Sequence, residues 1–374
     1  MNVDVVIDRW EAARGGQEGY LSALAGELAR RGVAVRVLCR AGSEERDGIA
    51  VEALAPPGGG AGGERRFLAA AAARAAEREG PVLAPRLLSF ATHVQLHCGL
   101  FADALEAERA SLAGLRRALF PLGTALNARR RLLARVEREA LGGEAKVMVW
   151  TEALRRTLIG AGVAAERIAV APPGVDLDLF SPSGDALDVA APGAPTAEGR
   201  ELLLVAHNPR LKGLGQALET LAALRRRGLP ARLTVAGRLG AGPFRLRAER
   251  LGVAGSVTFA GPLAPAELVA RLRRADLLLH PTFLDPCSLA CLEAAACGLP
   301  VVTTSRNGAA ERLAPAGAAL VVDDPRDVAG LARAVEEALE PARHAALRAA
   351  ALALRPALDA RGHLDAVLAW LGVS

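Results

Sequence analysis

Aromatic residues are scarce in this chain. They make up 3% of its 374 residues, which argues against a surface that stacks the bases of a single-stranded nucleic acid. No hydrophobic run reaches the roughly 18 residues that a membrane-spanning helix needs. The first residues have no basic stretch ahead of a hydrophobic one, so we expect no secretion signal. These absences predict a cytoplasmic protein that does not bind nucleic acid.

Cysteine and lysine are also rare. The five cysteines lack the spacing of a disulfide framework, which indicates a reducing compartment. Cys287 and Cys291 are four residues apart, but without further Cys or His nearby they predict a buried pair and not a metal site. The sequence offers no Asp-x-Asp arrangement suited to a divalent metal, so we expect neither a metal nor another cofactor. Lysine occurs only at Lys146 and Lys212, so a lysine in a polar turn stands out.

Hydrophobic residues alternate between strand-like and helix-like spacing in the first half of the chain. This order predicts a parallel sheet with helices on both faces. The predicted elements are strand 3–8, helix Glu18–Arg31, strand 33–39, a flexible loop at 58–63, strands 81–88 and 93–98, helices within 102–141 broken at Pro121, strand 146–150, helix 152–161 and strand 167–171.

Residues 181–200 are rich in Pro, Gly, Ser and Ala and predict a linker, after which the alternation restarts. We therefore expect an α/β protein with two doubly wound, Rossmann-like domains facing across a cleft. The predicted domains are 1–180 and 201–355, with a last helix in 356–374 that braces them. The predicted elements of the second half are strand 201–207, helix 213–227, strand 232–237, helix 243–251, strand 256–261, helix 265–274, strand 276–281, helix 286–297, strand 300–304, strand 318–322, helix 325–338 and helix 359–371.

One carboxylate interrupts a hydrophobic helix of the second half. Glu293 lies among Leu, Ala and Cys residues, and a charge is rarely buried without a partner. Asp285, followed by proline, is typical of a helix N-cap. The two acids would be about 12 Å apart along a helix, with its N-terminus between them, which suits a nucleotide sugar. A partly exposed helix face, or a salt bridge to an arginine, explains Glu293 equally well.

Two further turns could bind an anion. Arg210 and Lys212 precede a predicted helix, and cations beside free backbone N–H groups form an anion site. A solvated basic turn is the alternative interpretation. Residues 307–310 open another predicted helix whose N–H groups could contact a diphosphate.

The segment "DPCSLACLEAAACGLPVVTTSRNGAAE", residues 285–311, resembles the donor-binding segment of retaining glycosyltransferases of family 4, which have the GT-B fold. Its "DPCS" is similar to that of lipopolysaccharide-core glucosyltransferases. The family pattern is Glu, seven residues, Glu, and here Asp285 stands at the first position and Glu293 at the second. Residues 13–39, 168–182 and 202–218 also resemble family segments, so the resemblance covers nearly the whole chain.

The resemblance implies a role for each candidate residue. Glu293 would bind the ribose hydroxyls, and Arg210 and Lys212 would bind the diphosphate. His97, which follows a predicted strand, would lie beside the transferred sugar, as would Asp285. The implied catalytic residues are His97, Arg210, Lys212 and Asp285; the implied donor-binding residues are Gly15, Gly16, Arg210, Lys212, Asp285, Glu293, Asn307, Gly308, Ala309 and Glu311.

The implied activity is transfer of a hexose from a UDP- or GDP-sugar to a hydroxyl of a glycan or lipid-linked acceptor, with retention and without metal. The first domain would bind the acceptor and the second the donor. A hydrolysing nucleotide-sugar epimerase of the same architecture is one alternative. A catalytically inactive nucleotide-sugar-binding protein is another.

Residues 109–138 carry eight arginines and one acid. A solvated helical face is the usual explanation of such a stretch. An anionic membrane surface or a phosphorylated glycolipid is a second possibility, and pairing with the acids at 103–108 is a third. The arginines assigned to a membrane contact are Arg109, Arg116, Arg117, Arg129, Arg130, Arg131 and Arg135.

Overall fold

The computed structural model describes residues 1–11, 16–42, 48–54, 59–182 and 199–373. The chain divides into two compact units. The first unit comprises Met1–Pro172 and His363–Ser374, and the second comprises Pro173–Gly362. The first boundary, at Pro172, thus lies eight residues before the predicted position 180. Most of the predicted linker, residues 183–198, lies outside the described residues.

The first unit is built on a parallel sheet. Its strand order is β3-β2-β1-β4-β5-β6-β7, so the direction of winding reverses between β1 and β4. Its elements are β1 Asn2–Trp10, α1 Gly16–Arg30, β2 Ala34–Gly42, β3 Ile49–Ala53, α2 Gly60–Ala75, β4 Val82–Ala84, β5 His93–Gln95, α3 Phe101–Ala110, α4 Gly114–Leu126, α5 Ala128–Leu141, β6 Lys146–Val149, α6 Glu152–Gly160 and β7 Ile168–Val170.

The second unit repeats this architecture. Its parallel strand order is β10-β9-β8-β11-β12-β13, with the reversal between β8 and β11. The elements are β8 Arg200–Val205, α7 Leu214–Arg226, β9 Ala231–Ala236, α8 Gly242–Arg250, β10 Val257–Gly261, α9 Pro265–Arg274, β11 Leu277–His280, α10 Leu289–Ala296, β12 Val301–Thr304, α11 Ala310–Leu313, β13 Ala319–Val322, α12 Val328–Leu339 and α13 Pro341–Leu354. The last helix, α14 Ala360–Leu371, belongs to the first unit from His363 onward.

The first sheet is covered on both faces. Val5 of β1 packs in a core with Leu24 of α1 and Leu368 of α14. Val6, the next residue, points to the opposite face and packs in a core with Phe67 of α2. Neighbouring residues of a strand point to opposite faces, so a strand that is hydrophobic at every position is buried on both sides. The predicted α/β class with two doubly wound domains is confirmed.

Several predicted boundaries are wrong. Pro121 does not break a helix but lies inside α4. No residue of α4 is buried, so water can solvate the carbonyl that proline leaves without an N–H partner. The helices are instead separated at 111–113 and at Asn127, whose side chain accepts from the N–H of Arg130 and caps α5.

The predicted loop at 58–63 is helical from Gly60 onward. The glycine run predicts a loop, whereas buried residues such as Phe67 and Ala71 hold α2 against the sheet. Strand β3 and helix α13 were not predicted, and strands β4 and β5 are shorter than expected.

Candidate functional site

Three loops meet at the switch point of the second sheet. They follow β8, β11 and β12, and ligands of open α/β sheets bind outside the carboxyl ends of the strands at such a point. The N–H of Phe283 donates to the carbonyl of Leu211 at 2.7 Å, and the N–H of Gly308 donates to the carbonyl of Asp285 at 2.8 Å. Backbone hydrogen bonds thus join the three loops.

Gly213 is required where the first loop meets the second. Its φ is +74°, and a Cβ there would lie 2.0 Å from the carbonyl oxygen of Pro281. Any other residue would therefore push the two loops apart. The glycine lets the turn that carries Arg210 and Lys212 lie against the segment that leads to Asp285.

Asp285 is buried and bound by two basic side chains. Its Oδ2 lies 2.5 Å from Nζ of Lys212 and 3.2 Å from Nε2 of His280. Burial alone would raise the pKa of the Asp285 carboxyl, but Lys212 and His280 outweigh burial and hold that pKa well below its usual range. The carboxylate is therefore ionised across the physiological range, and it holds Lys212 in place.

The interpretation of Asp285 as a helix N-cap is wrong. Helix α10 begins at Leu289 with Ser288 at the N-cap, and residues 285–288 are not helical. The backbone of Asp285 instead pairs with Asn307 as an isolated β-bridge. Consequently the helical estimate of its distance from Glu293 does not apply.

Glu293 lies in the middle of α10 and is half-buried. Within the described part of the chain, its carboxylate has no hydrogen bond and no ion pair. Burial raises the pKa of this carboxyl to about 7. The salt-bridge explanation therefore does not hold for the described residues, and a partly accessible acid is left open to a ligand.

Arg210 differs from Lys212. Its side chain is exposed and, in the regions that the structure describes, contacts no other charged group. The helix that follows, α7, begins at Leu214, whose N–H donates to the carbonyl of Pro209. The N–H groups of Gly215 and Gln216 have no acceptor among the described residues. Arg210 and these two amides can therefore receive an anion without breaking an internal contact.

The loop after β12 does not supply free donors. The N–H of Asn307 donates to the carbonyl of Thr304, and the N–H of Gly308 donates to the carbonyl of Asp285. The N–H of Ala309 donates to the side-chain Oδ1 of Asn307, and the N–H of Ala310 donates to the carbonyl of Asn307. These amides are thus engaged inside the chain, contrary to the sequence-based expectation.

The side chain of Asn307 is buried and organises this loop. Its Oδ1 accepts from the N–H of Ser288 at 3.2 Å, and its Nδ2 donates to Oγ1 of Thr303 at 2.9 Å. Glu311 is exposed, at the second position of α11. The contribution of Asn307 is therefore to join the loop to the start of α10.

His97 belongs to the first unit, two residues after β5. Its ring stacks on Trp150 with centroids 4.6 Å apart, and it meets Tyr20 edge-on at 5.1 Å. Burial lowers the pKa of His97 to about 3, so the ring is neutral. Neither ring nitrogen has a hydrogen-bond partner in the described chain. A buried N–H without an acceptor is costly, which suits a group that contacts a ligand.

The predicted glycine pair is only partly described. Gly15 lies outside the described residues, and Gly16 is the first residue of α1. His280 is not among the predicted site residues, yet its ring contacts Asp285. Its position at the carboxyl end of β11 was the available signal.

Several arginines of 109–138 have acidic partners. Arg109 pairs with Glu106 at 3.3 Å, and Arg130 pairs with Glu108 at 2.8 Å, as the third sequence-based possibility expects. Arg129 pairs with Glu64 at 3.1 Å. Arg116, Arg131 and Arg135 are exposed and, in the described residues, have no side-chain partner.

Neither a metal-holding cluster nor a membrane-spanning helix is present among the described residues. No group of three or more His, Cys, Asp or Glu side chains is placed to hold a metal ion there. No helix in those regions is long and apolar enough to span a bilayer.

Two family models match the chain in succession. The Glycosyltransferase Family 4 model matches residues 14–179, and the Glycosyl transferases group 1 model matches residues 192–351. The chain belongs to the family 4-like glycosyltransferases of the GT-B fold. The predicted family is therefore confirmed, and the donor-type segment lies in the group 1 half.

The matches between this glycosyltransferase chain and its curated relatives cover only part of each relative's length. It is 33% identical over 193 residues to the D-inositol 3-phosphate glycosyltransferase of Paenarthrobacter aurescens (strain TC1), covering 50% of this chain and 47% of that protein. It is 37% identical over 166 residues to the glycogen synthase of Mycobacterium tuberculosis (strain ATCC 25618 / H37Rv), covering 44% and 40%. The chain thus spans about half the length of the curated relatives it matches.

Solved structures share the fold over the whole chain. The TM-score is 0.83 to WaaG, a glycosyltransferase involved in lipopolysaccharide biosynthesis, with 22% identity and 99% of both chains covered. It is 0.74 to Anabaena HepE in complex with UDP-glucose, with 19% identity, 100% of this chain and 99% of that chain covered. At these identities the likeness shows the GT-B fold.

Proposed function

We propose that this glycosyltransferase chain moves a hexose from a nucleotide sugar to a hydroxyl of a glycan or lipid-linked acceptor. The donor is a UDP- or GDP-sugar, the anomeric configuration is retained, and no metal takes part. One observation carries the proposal: Glu293 is a half-buried acid that has no partner in the described chain and has a raised pKa. A carboxylate left open in this way can accept hydrogen bonds from two ribose hydroxyls.

The charges around Asp285 suit departure of a diphosphate. In the reaction, the bond between the sugar carbon and the diphosphate oxygen breaks, and its electron pair stays on the diphosphate. Arg210, Lys212 and the amides of Gly215 and Gln216 would stabilise the added negative charge. The acceptor oxygen then bonds to the sugar carbon on the same face, and its proton passes to the leaving phosphate. Asp285 would hold sugar hydroxyls of the donor.

Two solved structures support the choice of donor and setting. HepE is described in complex with UDP-glucose, and WaaG is described as acting in lipopolysaccharide biosynthesis. We extend a UDP-sugar donor and a cell-envelope glycan to this chain as part of the proposal.

The proposed place of action is the inner face of the cytoplasmic membrane. Leu115, Leu119, Leu122 and Leu126 recur at helical spacing along α4 and are 52% to 72% exposed. The exposed guanidinium of Arg116 lies on the same helix, and those of Arg131 and Arg135 lie on α5. An apolar stripe beside basic side chains suits an anionic bilayer surface. Binding to vesicles should require anionic lipid and weaken with salt; equal binding to neutral vesicles would refute the proposal.

A panel of UDP, GDP, ADP and their sugars tests the donor site. A ligand of the folded protein raises the melting temperature by mass action. We expect a shift with UDP or GDP that Glu293→Gln reduces. Glu249→Gln is the matched control, because Glu249 is exposed on α8 and lacks a side-chain partner in the described residues. No shift with any nucleotide would contradict the proposal.

Product analysis tests the chemistry. NMR of the glycoside should give the same anomeric configuration as the donor, and chelation of divalent metals should leave the rate unchanged. An epimerised sugar formed without acceptor would instead indicate the epimerase alternative.

A further inference from the structure

Glu64 of α2 is fully buried and contacts three arginines of the first unit. Its Oε2 accepts from Arg40 at 2.8 Å and from Arg129 at 3.1 Å, and its Oε1 accepts from Arg86 at 2.6 Å. Its members come from four separate elements of the fold.

The cluster lies at the switch point of the first sheet. Arg40 is near the carboxyl end of β2, and Arg86 follows the end of β4 by two residues. Asp8, which accepts from Arg40 at 2.9 Å, is near the carboxyl end of β1. Strands β1 and β4 are the neighbours between which the winding direction reverses. Open α/β sheets bind their ligands outside the strand ends at this position.

The described charges of the cluster do not balance. Three guanidinium groups face two carboxylates, which leaves a net positive charge. Arg86 and Arg129 have side chains that are 33% and 47% exposed. A guanidinium carries five N–H donors in a planar fork, so each of these two arginines keeps donors that Glu64 does not use. The cluster therefore combines accessible donors with unneutralised positive charge.

We propose that Arg86 and Arg129 bind a phosphate monoester carried by the acceptor. This inference rests on the proposed function and names the chemical class of the acceptor. A phosphate monoester offers several oxygens in the geometry that a guanidinium fork binds bidentately. Glu64 holds the guanidinium groups together in the absence of that anion.

Isothermal titration of the whole chain tests the site, with inorganic phosphate, glucose 6-phosphate and glucose as probes. Arg86→Gln and Arg129→Gln should each weaken the binding of both phosphates about tenfold, the loss of roughly one charge-assisted contact. Arg138→Gln is the matched control, because Arg138 is an exposed arginine of the same helix as Arg129 and lacks a side-chain partner in the described residues. Glucose should bind equally to all these proteins.

Glu64→Gln should change phosphate affinity in the opposite direction to the two arginine variants. Removing the internal carboxylate removes a competitor, so phosphate should bind more tightly than to the unchanged protein. If this buried substitution prevents folding, Arg86→Gln and Arg129→Gln still decide the question because both side chains are partly exposed.

Other results would overturn the inference. Equal phosphate affinity in Arg86→Gln, Arg129→Gln and Arg138→Gln would refute it. Loss of all phosphate binding in Arg210→Gln alone would assign the anion to the donor loops. Loss of binding to phosphatidic acid vesicles in the Arg86 and Arg129 variants, with glucose 6-phosphate binding unchanged, would assign the site to a lipid headgroup. Failure of the proposed function is separate, since it appears as absent nucleotide binding or turnover.

Discussion

Two glutamates, one in each unit, illustrate opposite ways to place an acid in a helix. Burial alone would raise the pKa of both carboxyl groups. At Glu64 three arginines, led by Arg86, outweigh burial and lower the pKa. At Glu293 no such partner exists in the described chain, and the pKa rises to about 7. The comparison teaches that an enclosed acid with partners organises its surroundings, whereas one without partners is available to a ligand.

The largest expected effect comes from removing the acid that has partners. Glu64→Ala should lower the free energy of unfolding by about 3–5 kcal/mol, because it leaves three guanidinium groups without their shared carboxylate. The three tryptophans of the chain, Trp10, Trp150 and Trp370, all lie in the first unit. Their fluorescence during urea unfolding therefore reports on that unit. A loss below about 1 kcal/mol would show that Glu64 does not organise the cluster.

Asp285 tests the same contrast within the second unit. Asp285→Asn removes the charge that holds Lys212, and we expect turnover to fall by about a hundredfold, or roughly 2.7 kcal/mol of transition-state stabilisation. Steady-state rates with a UDP-sugar and an accepted glycan measure this.

Asp285→Glu is the matched variant, because it keeps the negative charge and introduces the glutamate that the family pattern has at this position. It should keep far more activity than Asp285→Asn. Similar losses in both would mean that the shape of the side chain, and not its charge, is what matters.

Glu293→Gln should have a smaller effect with a distinctive pH dependence. The folded-state pKa of about 7 lies above that of an unfolded glutamate. The unfolded state therefore loses its proton first, and stability falls as pH rises between the two pKa values. At pH 8 the variant should therefore have a higher melting temperature than the unchanged chain, and its free energy of unfolding should be larger by on the order of 1–3 kcal/mol. At pH 4 the two proteins should melt at the same temperature.

Nucleotide affinity should change in the other direction. Glu293→Gln should bind UDP about tenfold more weakly at pH 8, because the charge-assisted bonds to the ribose are lost. Calorimetry at both pH values measures melting and binding. A lower melting temperature at pH 8 would mean that the acid has a partner after all.

The smallest expected loss of unfolding free energy comes from removing an acid in an exposed ion pair. Glu106 and Arg109 form an ion pair whose side chains are 65% and 43% exposed. Glu106→Gln should change the free energy of unfolding by less than about 0.5 kcal/mol, because water and salt screen exposed charges. Urea unfolding followed by tryptophan fluorescence applies here too. A loss comparable to that of Glu64→Ala would remove the distinction between buried and exposed acids.

Much of the fold could be predicted from hydrophobic spacing. Helix α9 has the predicted bounds, and most strands of the second unit lie within a residue or two of the expected positions. The failures have local causes. Helix α2 begins in a glycine run, and α4 contains a proline that an exposed helix tolerates.

The candidate site was less predictable. The "Asp, seven residues, Glu" spacing pointed to Asp285 and Glu293, but Lys212, the partner of Asp285, is 73 residues away in sequence. The contacts of Glu64 with Arg86 and Arg129 span 22 and 65 residues. Such pairings depend on strand order, which hydrophobic spacing does not give.

The sequence by itself determined the alternation of strands and helices, the two-unit organisation and the presence of an acid in the hydrophobic helix α10. Only the tertiary structure decided which acids received partners. The physical reason is that Coulomb attraction and burial act between groups that are close in space, and the winding of each sheet sets which distant residues meet at its carboxyl edge. Glu64 thereby contacts three arginines, and in the described chain Glu293 contacts none.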